Sequence, residues 1–235
     1  MLTLSNHQLL QRQIPAARSG LLDICCVAAG YLIVYFSMRW LELPRAGSSA
    51  VIVGLAIATW RLRVHGEGWR QIGLSKPPSL GRTLLEVVAL YALVLIGMLL
   101  IVEPLARALG WRPLDLTVFA NLRGDALALA KMILIAWTTA AIGEELLFRG
   151  FLLARLEQLL GNRRISIALA VVLQAALFGV AHAYLGPRGI ASAALVGLIY
   201  GTWFMLRGRH LWPLIVAHGL TDTVSLFAIY AGALR

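Results

Sequence analysis

The sequence predicts an all-α polytopic membrane fold. Apolar residues make up 60% of the chain and charged residues only 14%. The apolar residues fall in runs long enough to cross a bilayer, and arginines punctuate those runs. Soluble domains carry more charge and less apolar content. A hydrocarbon layer of about 30 Å takes roughly 20 mostly apolar residues per helix, and backbone groups in lipid must be satisfied inside each helix. All 235 residues therefore read as a single integral membrane domain, a transmembrane helix bundle of seven spans within a range of six to eight.

In chain order, spans are expected near 21–40, 47–61, 83–102, 126–148, 165–183, 189–206 and 211–233. The polar start, with Arg12 and Arg18 ahead of Leu21, looks like a signal peptide only superficially. No small-residue cleavage site closes that run and further spans follow, so it is read as a retained helix. Trp40, Trp60, Trp203 and Trp212 fall at or near span ends, where indole rings favour the interface. Segment 61–82, with Gly66, Gly68, Gly73, Pro77 and Pro78, reads as a polar loop with room for a short surface helix. Segment 103–125 reads as a longer mixed loop. After the fourth span, "FLLARLEQLLGNRR" places Leu152, Leu156, Leu159 and Leu160 on one helical face, away from Arg155 and Glu157. That pattern predicts an amphipathic helix on the membrane surface.

A net charge of +10 raises nucleic acid as a partner, but the arginines are spread between apolar runs rather than gathered on one face. No nucleic acid is expected; membrane lipid is. With seven spans, 13 Lys and Arg fall on one side and 7 on the other, Lys131 lying inside a span. The more basic side is the cytoplasmic one, which puts the N-terminus in the cytoplasm, of a bacterial inner membrane by expectation. Cys25 and Cys26 are adjacent and the only cysteines, which fits buried thiols rather than a disulfide framework.

Ionisable side chains inside membrane helices mark function or tight pairing. Glu144, Glu145 and Arg149 lie on the fourth span, His182 at the end of the fifth, His218 and Asp222 on the seventh. Glu145 and Arg149 are four apart with the acid first, a pairing geometry, whereas Glu144 points about 100° away on an α-helix. One carboxylate is then neutralised and the other left free, which suits a general base. Taken alone, the same set is equally a salt-bridge cluster at the end of a span. His218 and Asp222 share a face, so the carboxylate can accept from the imidazole and fix its tautomer; a structural hydrogen-bonded pair fits as well.

In order, "EELLFRG", Phe178 to His182 and His218 to Asp222 resemble the EExxxR, FxxxH and HxxxN/D motifs of the CPBP family of intramembrane proteases, with its type II CAAX prenyl endopeptidases and bacteriocin-processing or immunity proteins. The resemblance covers residues 125–225. It implies hydrolysis of a peptide bond in a peptide, a prenylated protein or another membrane protein, inside a polar cavity. Glu144 then activates water with His182, Glu145 and Arg149 hold the helix, and His218 and Asp222 stabilise the oxyanion. Many relatives carry Asn at the place of Asp222; an ionised Asp cannot donate to an oxyanion, so that role shifts to His218. Alternatively Glu144, His182 and His218 ligate a divalent metal, zinc by ligand type, with water in an open position; a metal-free mechanism remains the other branch.

Depth sits awkwardly with this assignment. Glu144 is 11 residues from Arg155, about 16 Å of helix, and His182 is 18 from Arg164, about 27 Å. If both arginines mark the same boundary, the two groups lie at different depths. The competing readings are a proton-coupled transporter, disfavoured by the lack of inverted repeats, and a catalytically silent scaffold or immunity protein.

Overall fold

The computed structural model describes residues 6–77 and 79–233, with side chains from Ser19 onward. Its helices are α1 (Asn6–Trp40), α2 (Ala46–Val64), α3 (Leu80–Gly97), α4 (Glu103–Ala108), α5 (Ala126–Ile135), α6 (Leu153–Leu160), α7 (Arg164–Ala181), α8 (Gly186–Leu206) and α9 (Trp212–Tyr230). A π-helical turn, Met98–Val102, fuses α3 to α4, and a π-helical run, Ala136–Leu152, fuses α5 to α6. No strand occurs among the described residues. Seven helical stretches there are long and apolar enough to cross a membrane: Ser19–Trp40, Ala46–Val64, Leu80–Ala108, Ala126–Leu160, Arg164–Ala181, Ala183–Leu206 and Trp212–Tyr230. The bundle is all-helical and multi-pass, as the composition predicts.

Side-chain chemistry sets the helix starts. Ser79 caps α3 by accepting from the Arg82 amide, and Asp125 caps α5 by accepting from the amides of Leu127 and Ala128 at 2.9 Å. Pro104, Pro187 and Pro213 sit in the first turns of α4, α8 and α9, where a missing N–H costs nothing. Exposed Leu84, Leu85, Val88, Leu99 and Leu100 give the third span a face suited to acyl chains. Trp40, Trp60 and Trp212 stand exposed at span ends, in keeping with an interfacial place.

The fourth span is the axis of the fold. It supplies Ala141, Leu146, Leu153 and Leu156 to the largest buried cluster, Leu147 and Phe151 to the cluster against α2, and Leu129 and Ala136 to the cluster against the end of α9. At mid-length Gly143, Glu145, Leu146 and Leu147 are buried among these clusters, while Ile142 stays exposed and Glu144 half-buried.

Several expectations change. Residues 153–160 are no separate surface helix: α6 continues the fourth span, and its Leu153, Arg155 and Leu156 are buried, packed towards α1. Sequence periodicity detects one apolar face but cannot tell whether lipid or protein covers it. The third span runs on to Ala108, so the loop after it is shorter and holds a 3₁₀ turn at Thr117–Leu122. Segment 65–79 forms turns and no helix among the described residues. Cys25 is exposed on α1 and Cys26 half-buried, in place of two buried thiols. Arg149 and Arg155, counted as surface charges, are fully buried in ion pairs. The side chains of Arg12 and Arg18, and Arg235, lie outside the described residues.

Candidate active site

The wide helix carries the acidic motif. Where it begins, the hydroxyls of Thr138 and Thr139 donate back to the carbonyls of Leu134 and Ile135 at 2.7 and 2.9 Å. Such back-bonding disturbs the backbone ladder, here at the change to i→i+5 bonding. A π-helix turns less per residue than an α-helix, so Glu144 and Glu145 diverge less than α-helical spacing predicts. Glu145 reaches His218 on α9, and Glu144 stays within electrostatic range of the same histidine.

Glu145 is fully buried, and its Oε1 accepts from two cation-capable partners: Arg149 Nη1 at 2.9 Å and His218 Nδ1 at 2.8 Å. The i,i+4 pair expected from spacing is present. The guanidinium of Arg149 also lies over the rings of Phe178, 4.1 Å away, and Tyr200, 5.5 Å away. Glu144 is different. The residue is partly exposed, while its Oε2 is shut off from solvent with no hydrogen-bond partner among the described residues. Arg149, Glu145 and His218 all act electrostatically on it. One acid is tied and its neighbour is untied, as the sequence implies.

His182 sits at the end of α7, where its Nδ1 meets the carbonyl of Phe178 at 2.8 Å. A carbonyl can only accept, so Nδ1 carries the proton and Nε2 of the neutral ring is an acceptor. Phe178 is the hub: its centroid is 4.7 Å from the His182 ring, 6.3 Å from His218 and 5.0 Å from Phe148. On α9, His218 is held by Glu145 and not, as the sequence implied, by Asp222. The Asp222 Oδ2 stands 3.6 Å from His218 Nε2, an ion-pair distance too long for a hydrogen bond. Next to His218, Gly219 lets α9 lie against Trp137, for an added Cβ would sit 2.8 Å from the indole. Trp137 in turn donates to Thr223 Oγ1 at 3.0 Å.

All six residues drawn from the sequence converge, and the depth discrepancy disappears. Because the fourth span runs to Leu160, Arg155 is no boundary marker. Glu144 lies 16 residues from Leu160, close to the 18 residues between His182 and Arg164.

Glu144, His182 and His218 do not group as a metal site here. No cluster of three or more His, Cys, Asp or Glu among the described residues is placed to hold an ion. His218 faces a carboxylate at each ring nitrogen, and His182 has committed Nδ1 to a backbone carbonyl.

Sequence reasoning missed several neighbours. Tyr200 is buried with its ring 6.4 Å from His218. Gln174, one turn before Phe178, is buried with neither amide atom hydrogen-bonded among the described residues. Tyr184 stacks on His182 at 6.0 Å, and Tyr31 and Tyr184 both interact electrostatically with Glu144. A second polar cluster lies beyond the motifs: buried Asp23 meets Arg61 at 2.5 Å, His65 at 3.0 Å and Arg155 at 2.8 Å, and Arg155 also pairs with Glu67 at 2.7 Å. Asp23 and Gln174 were visible as polar residues inside apolar runs, the same signal that singled out Glu144.

Fold and site together define a class: an integral membrane bundle with an untied carboxylate and two histidines gathered in its interior. Residues 126–224 match the family model described as type II CAAX prenyl endopeptidase Rce1-like, in agreement with the CPBP-type resemblance of the three motifs. No curated protein and no solved structure matches. The match begins at the axial span and ends two residues past Asp222, leaving α1 to α4 outside it.

Proposed function

We propose that the chain is an intramembrane endopeptidase in which Glu144, aided by His182, activates a water molecule against a peptide bond of a membrane-associated protein. The observation that supports it best is the division between the two acids: Glu145 is saturated by Arg149 and His218, while Glu144 has an unpartnered buried oxygen beside them. In the step proposed, the water proton passes to Glu144 as the water oxygen bonds to the scissile carbonyl carbon. His182 Nε2, an acceptor in the neutral ring, helps to orient the water. The carbonyl oxygen takes up negative charge, and His218, protonated at both ring nitrogens between Glu145 at Nδ1 and Asp222 near Nε2, donates to it from Nε2–H. Glu144 then returns the proton to the leaving nitrogen as the C–N bond breaks.

This scheme uses only the chain's own side chains, and no step is routed through a metal. We place the basic N-terminal side in the cytoplasm; in support, exposed Arg63, Arg70, Lys76, Arg82, Arg163, Arg164, Arg207 and Arg209 outnumber exposed Arg39, Arg45, Arg107, Arg112 and Arg123 opposite.

The test is cleavage of prenylated C-terminal peptides and of transmembrane peptides by the purified full chain. Wild type is expected to cleave, with one oxygen from labelled water in the new carboxylate, while His182→Asn and His218→Gln lose most activity. Prolonged chelation is expected to leave cleavage intact; loss reversed by zinc would replace the metal-free step. Proton-coupled flux in liposomes, abolished by the same substitutions without any cleavage, would overturn the protease reading.

A further inference from the structure

Segment 65–79 joins α2 to α3 and folds over the end of the bundle where α9 begins. Trp69 turns back towards the membrane, its indole donating to Thr59 Oγ1 at 3.1 Å. Thr59 lies five residues inside the end of α2, about 7 Å of helix. Between this segment and α9 is a cavity of about 520 Å³ lined by Trp69, Arg70, Gln71, Leu74, Lys76 and Trp212. Arg70 and Lys76 are exposed, and neither has an acidic partner among the described residues. Two neighbouring cations are engaged, Arg82 with Glu86 at 2.8 Å and Arg209 with Glu157 at 2.7 Å.

We propose that this cavity binds the phosphate-bearing headgroup of an anionic phospholipid. Three features select a lipid over a soluble anion. The cavity opens at the level of the span ends. Its walls pair two cations with two indoles and a leucine, the combination that suits a headgroup joined to acyl chains. Trp212, exposed at the first turn of α9, belongs to both the cavity and the bundle's outer surface.

The segment also touches the catalytic scaffold. The carbonyl of Ile72 would lie 3.3 Å from a Cβ added at Gly150, the residue after Arg149, so backbone packs on backbone there. The Leu211 amide donates to the Gly73 carbonyl at 3.0 Å, joining the segment to the start of the helix that carries His218. A bound headgroup braces a segment that rests on both helices of the site. Binding itself is independent of the proteolytic reading.

Native mass spectrometry of the detergent-purified full chain tests this, with dioctanoyl phosphatidylglycerol, dioctanoyl phosphatidylcholine and inorganic phosphate as probes. Wild type is expected to retain phosphatidylglycerol about tenfold better than phosphatidylcholine, and Arg70→Gln/Lys76→Gln to lose that preference. Arg63→Gln/Arg163→Gln removes the same charge from exposed positions outside the cavity and is expected to keep it. The proposal is overturned if Arg70→Gln/Lys76→Gln binds like wild type, or if both double variants lose the lipid equally, which indicates diffuse surface charge. It is also overturned if inorganic phosphate displaces the lipid at equal concentration. Unchanged melting temperatures show that the variants fold.

Discussion

At the residue scale, two adjacent glutamates occupy opposite electrostatic situations. Glu145 balances a buried guanidinium and an imidazole from another helix, so its charge is structural. Removing one member of a buried pair leaves the other uncompensated, typically costing about 3–5 kcal/mol. Arg149→Met and Glu145→Gln are therefore each expected to lower unfolding stability by about that amount, read as denaturation midpoints of the purified protein. The aromatic faces of Phe178 and Tyr200 at Arg149 soften the loss without replacing the ion pair. The sequence showed the Glu145–Arg149 pairing because i,i+4 neighbours stay on one face in the π-helical run as in an α-helix. It hid the contact from Glu145 to His218, which is 73 positions away and depends on how α9 packs. For that reason Asp222 looked like the sole partner of His218, whereas it shares the imidazole with Glu145 at a longer ion-pair distance.

At the scale of elements, the first two helices matter more than their composition indicated. Asp23 on α1, Arg61 near the end of α2, and Arg155 on α6 meet in one buried ion cluster, so the part of the chain outside the family match grips the far end of the fourth span. Arg155→Gln is expected to destabilise by about 3–5 kcal/mol, because it strands a buried Asp23. Glu67→Gln is expected to cost well under that, since its side chain keeps 31% exposure. Equal effects would mean that the cluster is not the clamp described. Gly219→Leu is expected to force α9 off Trp137 and abolish activity while α1 to α3 stay folded, as hydrogen exchange of the separate helices can show. The α6 segment illustrates the limit of periodicity. Its leucines predict an apolar face, but only the packing of α1 shows that Arg155 is buried with them.

At the scale of the molecule, span number and order follow from apolar runs and were legible almost throughout. What the runs could not show is that the fourth span continues unbroken for 35 residues, which removes the false depth marker at Arg155. Orientation has its own check. With Cys25 and Cys26 replaced by Ser, Arg163→Cys is expected to react with an impermeant maleimide in everted vesicles and not in intact cells; the reverse would invert the bundle. The most direct test of the account compares Glu144→Gln with Glu145→Gln for both turnover and melting temperature. The untied acid predicts that Glu144→Gln loses about 10²–10⁴ in turnover with wild-type stability, whereas Glu145→Gln melts early. Full turnover in Glu144→Gln, or a loss of stability as large as that of Glu145→Gln, would contradict it.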